Sequence, residues 1–275
     1  MTLRSQIGVV RRSILSGLHR RVVPLGAHGP IITFSFDDFP RTALTIGAKI
    51  LEDFGVRATY YVAMSLINTT NNLGEQFRDE DLASVLEHGH ELASHTFSHL
   101  SARRVNYDAF ERDVQSGEQA IRQKIGTCGS GNFAYPYGDV TFRAKKEIGS
   151  QLVSCRGTCE GLNGPDVDLN LLRANSLYGD IDGVDAAKSL ILENEKRQGW
   201  LIFYSHDVTS RPSPFGCTPR LLEAVCSFAA ARNMQFMTVA QVMRDLGQEP
   251  TLRVNRRLRV GDGLPCATEV SCSHN

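Results

Sequence analysis

The sequence lacks both an excess of one charge and a long apolar run. Lys plus Arg and Asp plus Glu each total 30, so the formal net charge is zero. Balanced charge gives no overall field that would attract nucleic acid. No apolar stretch approaches the roughly 18 residues of a membrane span. We therefore expect neither a nucleic-acid-binding protein nor an integral membrane protein.

The N-terminal segment, residues 1–30, has no Asp or Glu but carries several arginines. It also lacks the apolar core and small-residue cleavage site of a secretory signal peptide, so we expect a cytoplasmic protein. Ile7, Val10, Ile14 and Leu18 recur at helical spacing and predict a basic amphipathic helix. Such a helix either covers the end of the folded domain or contacts a membrane surface, and the sequence leaves both open.

The cysteines fit neither a disulfide framework nor a zinc finger. There are seven, an odd number, and no Cys-x-x-Cys pair occurs. We interpret them as mostly reduced thiols of an intracellular protein.

The remaining pattern is that of an α/β protein. A chain of 275 residues with 41% hydrophobic content can form one large core. Short apolar segments alternate with segments of helical periodicity, which predicts parallel strands in a (β/α) barrel. We assign residues 31–247 to this domain and residues 248–275 to a flexible C-terminal tail.

Local signals delimit several elements of this barrel. Acidic residues in the first turn predict a helix over Asp79–Glu87. Asn106 is a favourable N-cap and predicts a helix that ends at Lys124. Apolar residues from Leu171 to Leu177 predict a strand.

Two adjacent carboxylates end the first predicted strand of the barrel, in the stretch Ile31–Phe39. Asp37 and Asp38 follow six residues that favour a buried strand. Neighbouring side chains at a strand end point in different directions, so each acid would have its own partner. The ordinary alternative is a turn before Pro40 that an aspartate side chain stabilises.

Histidines follow other predicted strands. His95 and His99 are separated by three residues, and His206 comes late in the chain. In (β/α) barrels reactive side chains come from the C-terminal ends of several strands. Two histidines on one side of a helical turn, with one carboxylate, would supply three ligands for a divalent ion. The alternative is a hydrogen-bonded surface pair, and we interpret His88 and His90 as structural.

Together, four segments resemble the ordered motifs of the polysaccharide deacetylases, carbohydrate esterase family 4, named for the rhizobial nodulation deacetylase. They are Asp37-Asp38, His95-Thr-Phe-Ser-His99, Tyr135-Pro-Tyr-Gly138 and His206. The resemblance implies a distorted, incomplete (β/α) barrel of the seven-stranded type. It also implies metal-dependent hydrolysis of an N-acetyl, or less often O-acetyl, group on a sugar or polysaccharide.

The same resemblance implies roles for individual residues. Asp38, His95 and His99 correspond to the metal ligands, with Zn²⁺ expected and Co²⁺, Ni²⁺ or Mn²⁺ as alternatives. Asp37 corresponds to the general base. His206 corresponds to the general acid, since an imidazole exchanges protons readily near neutral pH.

Substrate contacts are also implied. The backbone N–H of Tyr137, which follows Pro136, would bind the oxyanion of the reaction. Tyr204, Leu201 and Phe203 come from one strand, and some of them would line an apolar pocket for the acetyl methyl group.

Some positions depart from the family pattern. Phe39 follows the two acids where the family usually has Gly, and Ala134 replaces an Arg that braces the catalytic base. An Asp that orients the catalytic histidine has no firm match. The candidates for these two missing partners are Arg156 and Arg173 for the first, and Asp166 and Asp168 for the second.

Three other functions stay open on this fold. A deformylase of a lipid-linked amino sugar needs the same chemistry with a smaller acyl pocket. A hydrolase of small cyclic amides can lack the metal ligands, and a glycan-binding module would lose the catalytic acids. The complete set of acids and histidines favours an enzyme that acts on carbohydrate.

Overall fold

The strand that carries the two acids is the centre of the fold. The structure is a computed structural model that describes residues 15–126 and 129–248. In it Ile31–Asp37 forms a strand whose seven residues are all buried. This strand pairs in parallel with Trp200–Ser205 on one side and Thr59–Val62 on the other. The predicted buried strand is therefore confirmed.

The main sheet is parallel throughout and curls into an incomplete barrel. In chain order, the strands are β1 (Val22–Pro24), β2 (Ile31–Asp37), β3 (Thr59–Val62), β4 (Thr70–Asn71), β5 (Gly74–Glu75), β6 (Glu91–Ser94), β7 (Asn132–Ala134), β8 (Ser154–Arg156), β9 (Asp166–Asp168), β10 (Asn175–Ser176), β11 (Trp200–Ser205) and β12 (Gln235–Phe236). Seven of them run in the order β10–β11–β2–β3–β6–β7–β8, and β12 pairs with the start of β2. This confirms the predicted seven-stranded type of barrel.

Helices cover the outer face of this sheet. They are α1 (Lys49–Asp53), which continues a π-helical segment (Ala43–Ala48), α2 (Asp79–Glu87), α3 (Tyr107–Ile125), α4 (Phe142–Gln151), α5 (Val184–Arg197), α6 (Pro219–Ala230) and α7 (Val239–Asp245). The bounds of α2 are those predicted. The Asn106 side chain accepts a hydrogen bond of 2.9 Å from the Ala109 N–H at the start of α3, as predicted.

The predicted strand over residues 171–177 is only partly correct. Leu172 forms an isolated parallel bridge with Arg156, and only β10 pairs regularly, with β11. Between them, the Arg173 N–H donates to the Asn163 side chain instead of to a neighbouring strand. The strand is short because the preceding loop takes its hydrogen bonds.

Alternation along the strands divides the core into two layers. Ile32, Phe34 and Phe36 face the helices, whereas Ile31 faces the barrel interior with Trp200. The Trp200 indole N–H donates to the Thr33 hydroxyl at 2.8 Å on the interior side. By the same alternation, Asp37 lies on the interior side at the end of β2.

Part of the N-terminal segment packs against the barrel. Leu15 is buried, and its carbonyl accepts a hydrogen bond of 2.9 Å from the ammonium of the buried Lys145. Lys145 also pairs with Asp168 at 2.8 Å. Ile7, Val10 and Ile14 of the predicted helix lie outside the described residues, so contact with a membrane surface stays a prediction.

The described cysteines Cys155, Cys159, Cys217 and Cys226 are free thiols. Within residues 15–126 and 129–248, no helix combines the length and apolar character needed to cross a membrane. The predicted tail, apart from Gln248, lies outside the described residues. The cytoplasmic location stays a prediction.

Candidate active site and metal centre

The two acids after β2 diverge because the chain turns sharply there. Asp38 and Phe39 both adopt left-handed conformations, with φ of 63° and 69°. Such a conformation costs a non-glycine residue of the order of 1–3 kcal/mol. The Phe39 ring is fully buried, 5.2 Å from the Phe77 ring and 4.7 Å from the Tyr60 ring. This packing holds the turn at the position where the family usually has Gly.

Asp37 forms a buried ion pair with Arg156. The guanidinium lies 2.5 Å from Asp37 Oδ1. It also stacks over the rings of Tyr61, at 4.7 Å, and Tyr204, at 5.1 Å. Burial by itself would raise the pKa of Asp37, but the charge and hydrogen bond of Arg156, together with the nearby His95 and His206, outweigh it and the pKa is lowered. Asp37 is therefore a carboxylate near neutral pH.

The position of Arg156 explains the missing arginine of the third motif. Ala134 on β7 is the direct register partner of Arg156 on β8. The adjacent strand thus supplies the arginine that pairs with Asp37, in place of the arginine that the family pattern has at Ala134. Arg173, the other candidate, donates instead to the Glu160 carbonyl.

Asp38 converges with His95 and His99. The Asp38 Oδ1 atom lies 3.6 Å from His95 Nε2 and 3.1 Å from His99 Nε2. One ligand atom from each side chain lies within 4.8 Å of the other two. The predicted set of three ligands is therefore brought together, and Asp38 is the member of the acid pair that belongs to it.

A loop presents the two histidines, not the predicted helical turn. Thr96 and His99 have left-handed conformations, with φ of 65° and 56°. Asp113 on α3 holds this loop, because its carboxylate accepts hydrogen bonds of 3.0 and 3.3 Å from the Ser98 N–H. Asp113 was not predicted from the sequence, although an acid three residues after Phe110 lies on the same face of the predicted helix as that apolar residue.

Two observations indicate that the cluster suits a cation. The Nδ1 of the buried His95 lies 2.7 Å from the Ala134 carbonyl, so Nδ1 carries the proton and Nε2 presents a lone pair toward Asp38. Asp38 Oδ1 is buried and has no hydrogen-bond partner among the described residues. A histidine with one nitrogen fixed to a carbonyl is the usual arrangement of a metal ligand. The residues therefore fit a divalent metal ion.

The protonation states agree with this fit. Burial lowers the pKa of His95 to about 3 and that of His99 to about 4, so both imidazoles are neutral and able to ligate. Burial raises the pKa of Asp38 to about 6, and the charge of Asp37 adds to this rise. A metal ion would remove the penalty of the buried Asp38 carboxylate.

A second cluster, formed by Glu52, His88 and His90, does not fit a metal ion. His90 Nδ1 accepts a hydrogen bond of 2.9 Å from the Ala58 N–H, so Nε2 carries the proton of the neutral ring. That Nε2 donates to Glu52 Oε1 at 2.9 Å, and His88 Nδ1 lies 3.0 Å from the same oxygen. These are hydrogen bonds within the protein, in agreement with the predicted structural role of His88 and His90.

His206 follows β11, which is adjacent to β2. Phe36 and Ser205 are register partners, so the residues after them, Asp37 and His206, leave the sheet side by side. The His206 Nδ1 lies 3.1 Å from the Phe215 carbonyl. That carbonyl therefore fixes the ring, and it was not foreseen from the sequence.

The two acids proposed to orient His206 were wrong. Asp168 pairs with Lys145 at 2.8 Å and accepts from the Arg21 N–H at 3.1 Å. Asp166 belongs to the same strand, which pairs with β1.

The predicted substrate residues have different positions. Tyr137 is 58% exposed and its ring lies 4.5 Å from the His99 ring, whereas Pro136 is buried at the start of the turn. Tyr204 packs with the interior layer of the barrel. Leu201 and Phe203 lie in the layer beneath the helices, so of the three residues of which some were expected to line an acetyl pocket, Tyr204 is left.

Gly138 allows the Tyr137 turn to approach the next loop. Its φ of +64° is left-handed, and a Cβ atom there would lie 1.9 Å from the Thr158 hydroxyl oxygen. Only glycine therefore fits between Tyr137 and Thr158.

A curled parallel sheet with two acids and three histidines at its strand ends is the arrangement that the resemblance to the carbohydrate deacetylases implied. Residues 26–152 match the family model described as "Polysaccharide deacetylase". The resemblance to the polysaccharide deacetylases that the sequence motifs predicted is therefore confirmed.

Similar proteins agree with this assignment. The chain is 27% identical over 189 residues to a peptidoglycan-N-acetylglucosamine deacetylase of Bacillus cereus, covering 62% of this chain and 84% of the relative. The Xyl-CE4 domain of a xylanase from the hindgut metagenome of Trinervitermes trinervoides has a TM-score of 0.53 at 18% identity, covering 81% of this chain and 94% of that domain. A family 4 acetyl xylan esterase from Clostridium thermocellum, in complex with a cobalt ion, gives 0.53 at 18% identity, covering 81% and 95%. These structures confirm the fold.

Proposed function

We propose that the chain hydrolyses the N-acetyl group of an amino sugar in a glycan, using a divalent metal ion held by Asp38, His95 and His99. The observation that carries this proposal is the buried Asp38 Oδ1, which faces two neutral imidazoles and has no hydrogen-bond partner among the described residues. The relative from Bacillus cereus is named for N-acetylglucosamine in peptidoglycan, which favours an N-acetylated sugar.

A bound divalent ion supplies Lewis acidity, which makes a water proton easier to remove and polarises the amide carbonyl. Zn²⁺ is the expected ion, with Co²⁺, Ni²⁺ or Mn²⁺ as alternatives. The structure of the Clostridium thermocellum relative with cobalt is consistent with this range.

Asp37 would act as the general base. Its ion pair with Arg156 keeps it charged, and its lowered pKa makes it a weak base. A weak base suits a water molecule whose proton is already easy to remove. Asp37 accepts that proton while the water oxygen attacks the amide carbonyl carbon.

His206 would act as the general acid. Its Nδ1–H is fixed by the Phe215 carbonyl, which leaves Nε2 for the substrate. The imidazolium donates the Nε2 proton to the amide nitrogen as the carbon–nitrogen bond breaks, so that the products are acetate and the free amine. The backbone N–H of Tyr137 would stabilise the oxyanion, with Pro136 shaping the turn and Tyr204 beside the acyl group.

The test is a screen for acetate and formate released from peptidoglycan, N-acetylglucosamine oligomers and acetylated xylan, with defined metals added. Acetate is the expected product, whereas formate would favour the deformylase alternative. Asp37→Asn and His206→Ala should keep the metal but lose activity by about 100- to 10,000-fold.

Metal content separates the ligands from the acid and base. His99→Ala should lose the bound ion in elemental analysis, whereas His88→Ala, outside the site, should retain both metal and activity. Equal metal content in wild type and His99→Ala would refute the metal site. Loss of metal in Asp37→Asn but not in Asp38→Asn would reverse the roles of the two acids.

A further inference from the structure

The loop that follows β11, residues 206–217, folds back onto its own start. The Phe215 carbonyl accepts hydrogen bonds of 3.1 Å from both the backbone N–H and the Nδ1–H of His206. The Cys217 N–H then donates to the Asp207 carbonyl at 2.9 Å. The orientation of the His206 ring therefore depends on where this loop places one carbonyl group.

Asp207, the residue next to His206, is a buried acid. It is 3% exposed and forms no ion pair with any residue in the described ranges. A buried carboxylate is costly unless hydrogen bonds satisfy it. Both of its oxygens accept from Ser213, Oδ2 from the backbone N–H at 2.8 Å and Oδ1 from the hydroxyl at 2.5 Å. The carboxylate therefore holds the far side of the same loop.

Ser213 connects this acid to Phe215. Its hydroxyl donates to Asp207 and accepts a hydrogen bond of 3.2 Å from the Phe215 N–H. The loop lies directly on the carboxylate, because a Cβ atom added at Gly216 would collide with Asp207 Oδ1. A chain of hydrogen bonds thus runs from Asp207 through Ser213 to the residue whose carbonyl fixes His206.

We propose that Asp207 and Ser213 are positioning residues for His206, and that they act by holding the Phe215 carbonyl against its Nδ1–H. This inference rests on the proposed function, in which His206 is the general acid. Within the described part of the chain, the Asp207 carboxylate forms no hydrogen bond with the imidazole itself, so its effect passes through the loop. An imidazole with a fixed Nδ1–H presents Nε2 in one direction, as proton delivery to a leaving nitrogen requires.

The first test compares two leaving groups, using the 275-residue chain loaded with Zn²⁺. An amine must be protonated as it leaves, whereas 4-nitrophenolate leaves without a proton. Ser213→Ala removes the hydroxyl that joins Asp207 to Phe215. We expect its kcat for acetate release from an N-acetylglucosamine oligomer to fall about 10- to 100-fold at an unchanged KM. Hydrolysis of 4-nitrophenyl acetate and metal content should stay at wild-type values, and Ser213→Thr, which keeps the hydroxyl, should restore most of the lost rate.

The second test is a double-mutant cycle with His206→Ala. If Ser213 acts through His206, adding Ser213→Ala to His206→Ala causes no further loss of kcat on the oligomer. Asp207→Asn replaces one acceptor oxygen by a donor and should give the same result in its own cycle. Ser210→Ala, at an exposed serine of the same loop, should leave kcat unchanged on both substrates.

The outcomes separate this inference from the proposed function. If wild type releases no acetate from any substrate tested, the proposed function fails and the positioning role fails with it. If wild type deacetylates the oligomer, three results would each overturn the positioning role while the deacetylase function stands. These are an unchanged kcat in Ser213→Ala, an equal loss on the amide and the ester, and losses that multiply in the double mutant.

Discussion

Replacing Arg156 by Gln tests how the protein keeps its catalytic base charged. Arg156 and Asp37 are both buried, and among the groups that lower the pKa of Asp37 against its burial, Arg156 has the largest effect. Gln keeps much of the side-chain volume and a polar end but removes the charge. The variant therefore isolates the electrostatic contribution of the guanidinium.

The magnitude follows from the two opposing effects on Asp37. An opposite charge within about 4–6 Å lowers a carboxyl pKa by about 1–3 units. Without Arg156, burial acts unopposed by that charge, so we expect the pKa of Asp37 to rise by about 1–3 units. The acid limb of the pH profile of kcat/KM should shift upward equally, with about tenfold lower activity per unit at pH values below the limb. The unpaired buried charge should also destabilise the fold by about 3–5 kcal/mol.

The stability change has a defined sign with pH. In wild type the pKa of Asp37 is lowered, so the stabilisation from the pair is present above the ordinary carboxyl pKa and is lost as pH falls through the lower folded value. In Arg156→Gln the folded pKa lies above the ordinary value. The contribution of Asp37 to stability therefore reverses sign, and the free energy of unfolding decreases as pH rises through this folded pKa.

The assay is the pH profile of kcat/KM together with urea unfolding. Arg156→Lys keeps a charge and should restore part of the profile. Arg41→Gln breaks the Arg41–Asp81 pair, 2.9 Å apart and outside the site, and should change stability without moving the acid limb. A folded Arg156→Gln protein with the wild-type pH profile would show that Arg156 does not control the base.

Three further predictions concern the metal centre. Burial raises the pKa of Asp38 to about 6, whereas the pKa values of the ligand histidines are about 3 and 4. Metal affinity measured by calorimetry should therefore fall about tenfold per pH unit below pH 6 and be level above it. Equal affinity at pH 5 and 7 would contradict this. Asp113→Ala leaves the Ser98 N–H unpaired, so it should cost about 1–3 kcal/mol and weaken metal binding, while Asp108→Ala, exposed on the same helix, should do neither. Gly117→Ala would place a Cβ atom 2.6 Å from the Thr96 carbonyl carbon, so α3 must move away from the histidine loop. We expect the free energy of unfolding to fall by about 1–3 kcal/mol and metal binding to weaken. An unchanged melting temperature would refute that close approach.

Several elements could be predicted because their signals are local. The acidic first turn of α2 and the Asn106 cap of α3 act within a few residues, so their sequences contain enough information to delimit the helices. The apolar run of β2 likewise indicates a buried strand before any partner is known. The motif residues Asp38, His95 and His99 were identified from their order along the chain.

The tertiary structure decided which distant groups meet. The sequence offered Arg156 and Arg173 equally as partners of Asp37, and only the register of β7 with β8 places Arg156 there. Likewise a backbone carbonyl, that of Phe215, holds His206, and no side-chain pattern encodes such a partner. These contacts depend on strand register and loop path, which arise from packing across the whole sheet and not from any one segment.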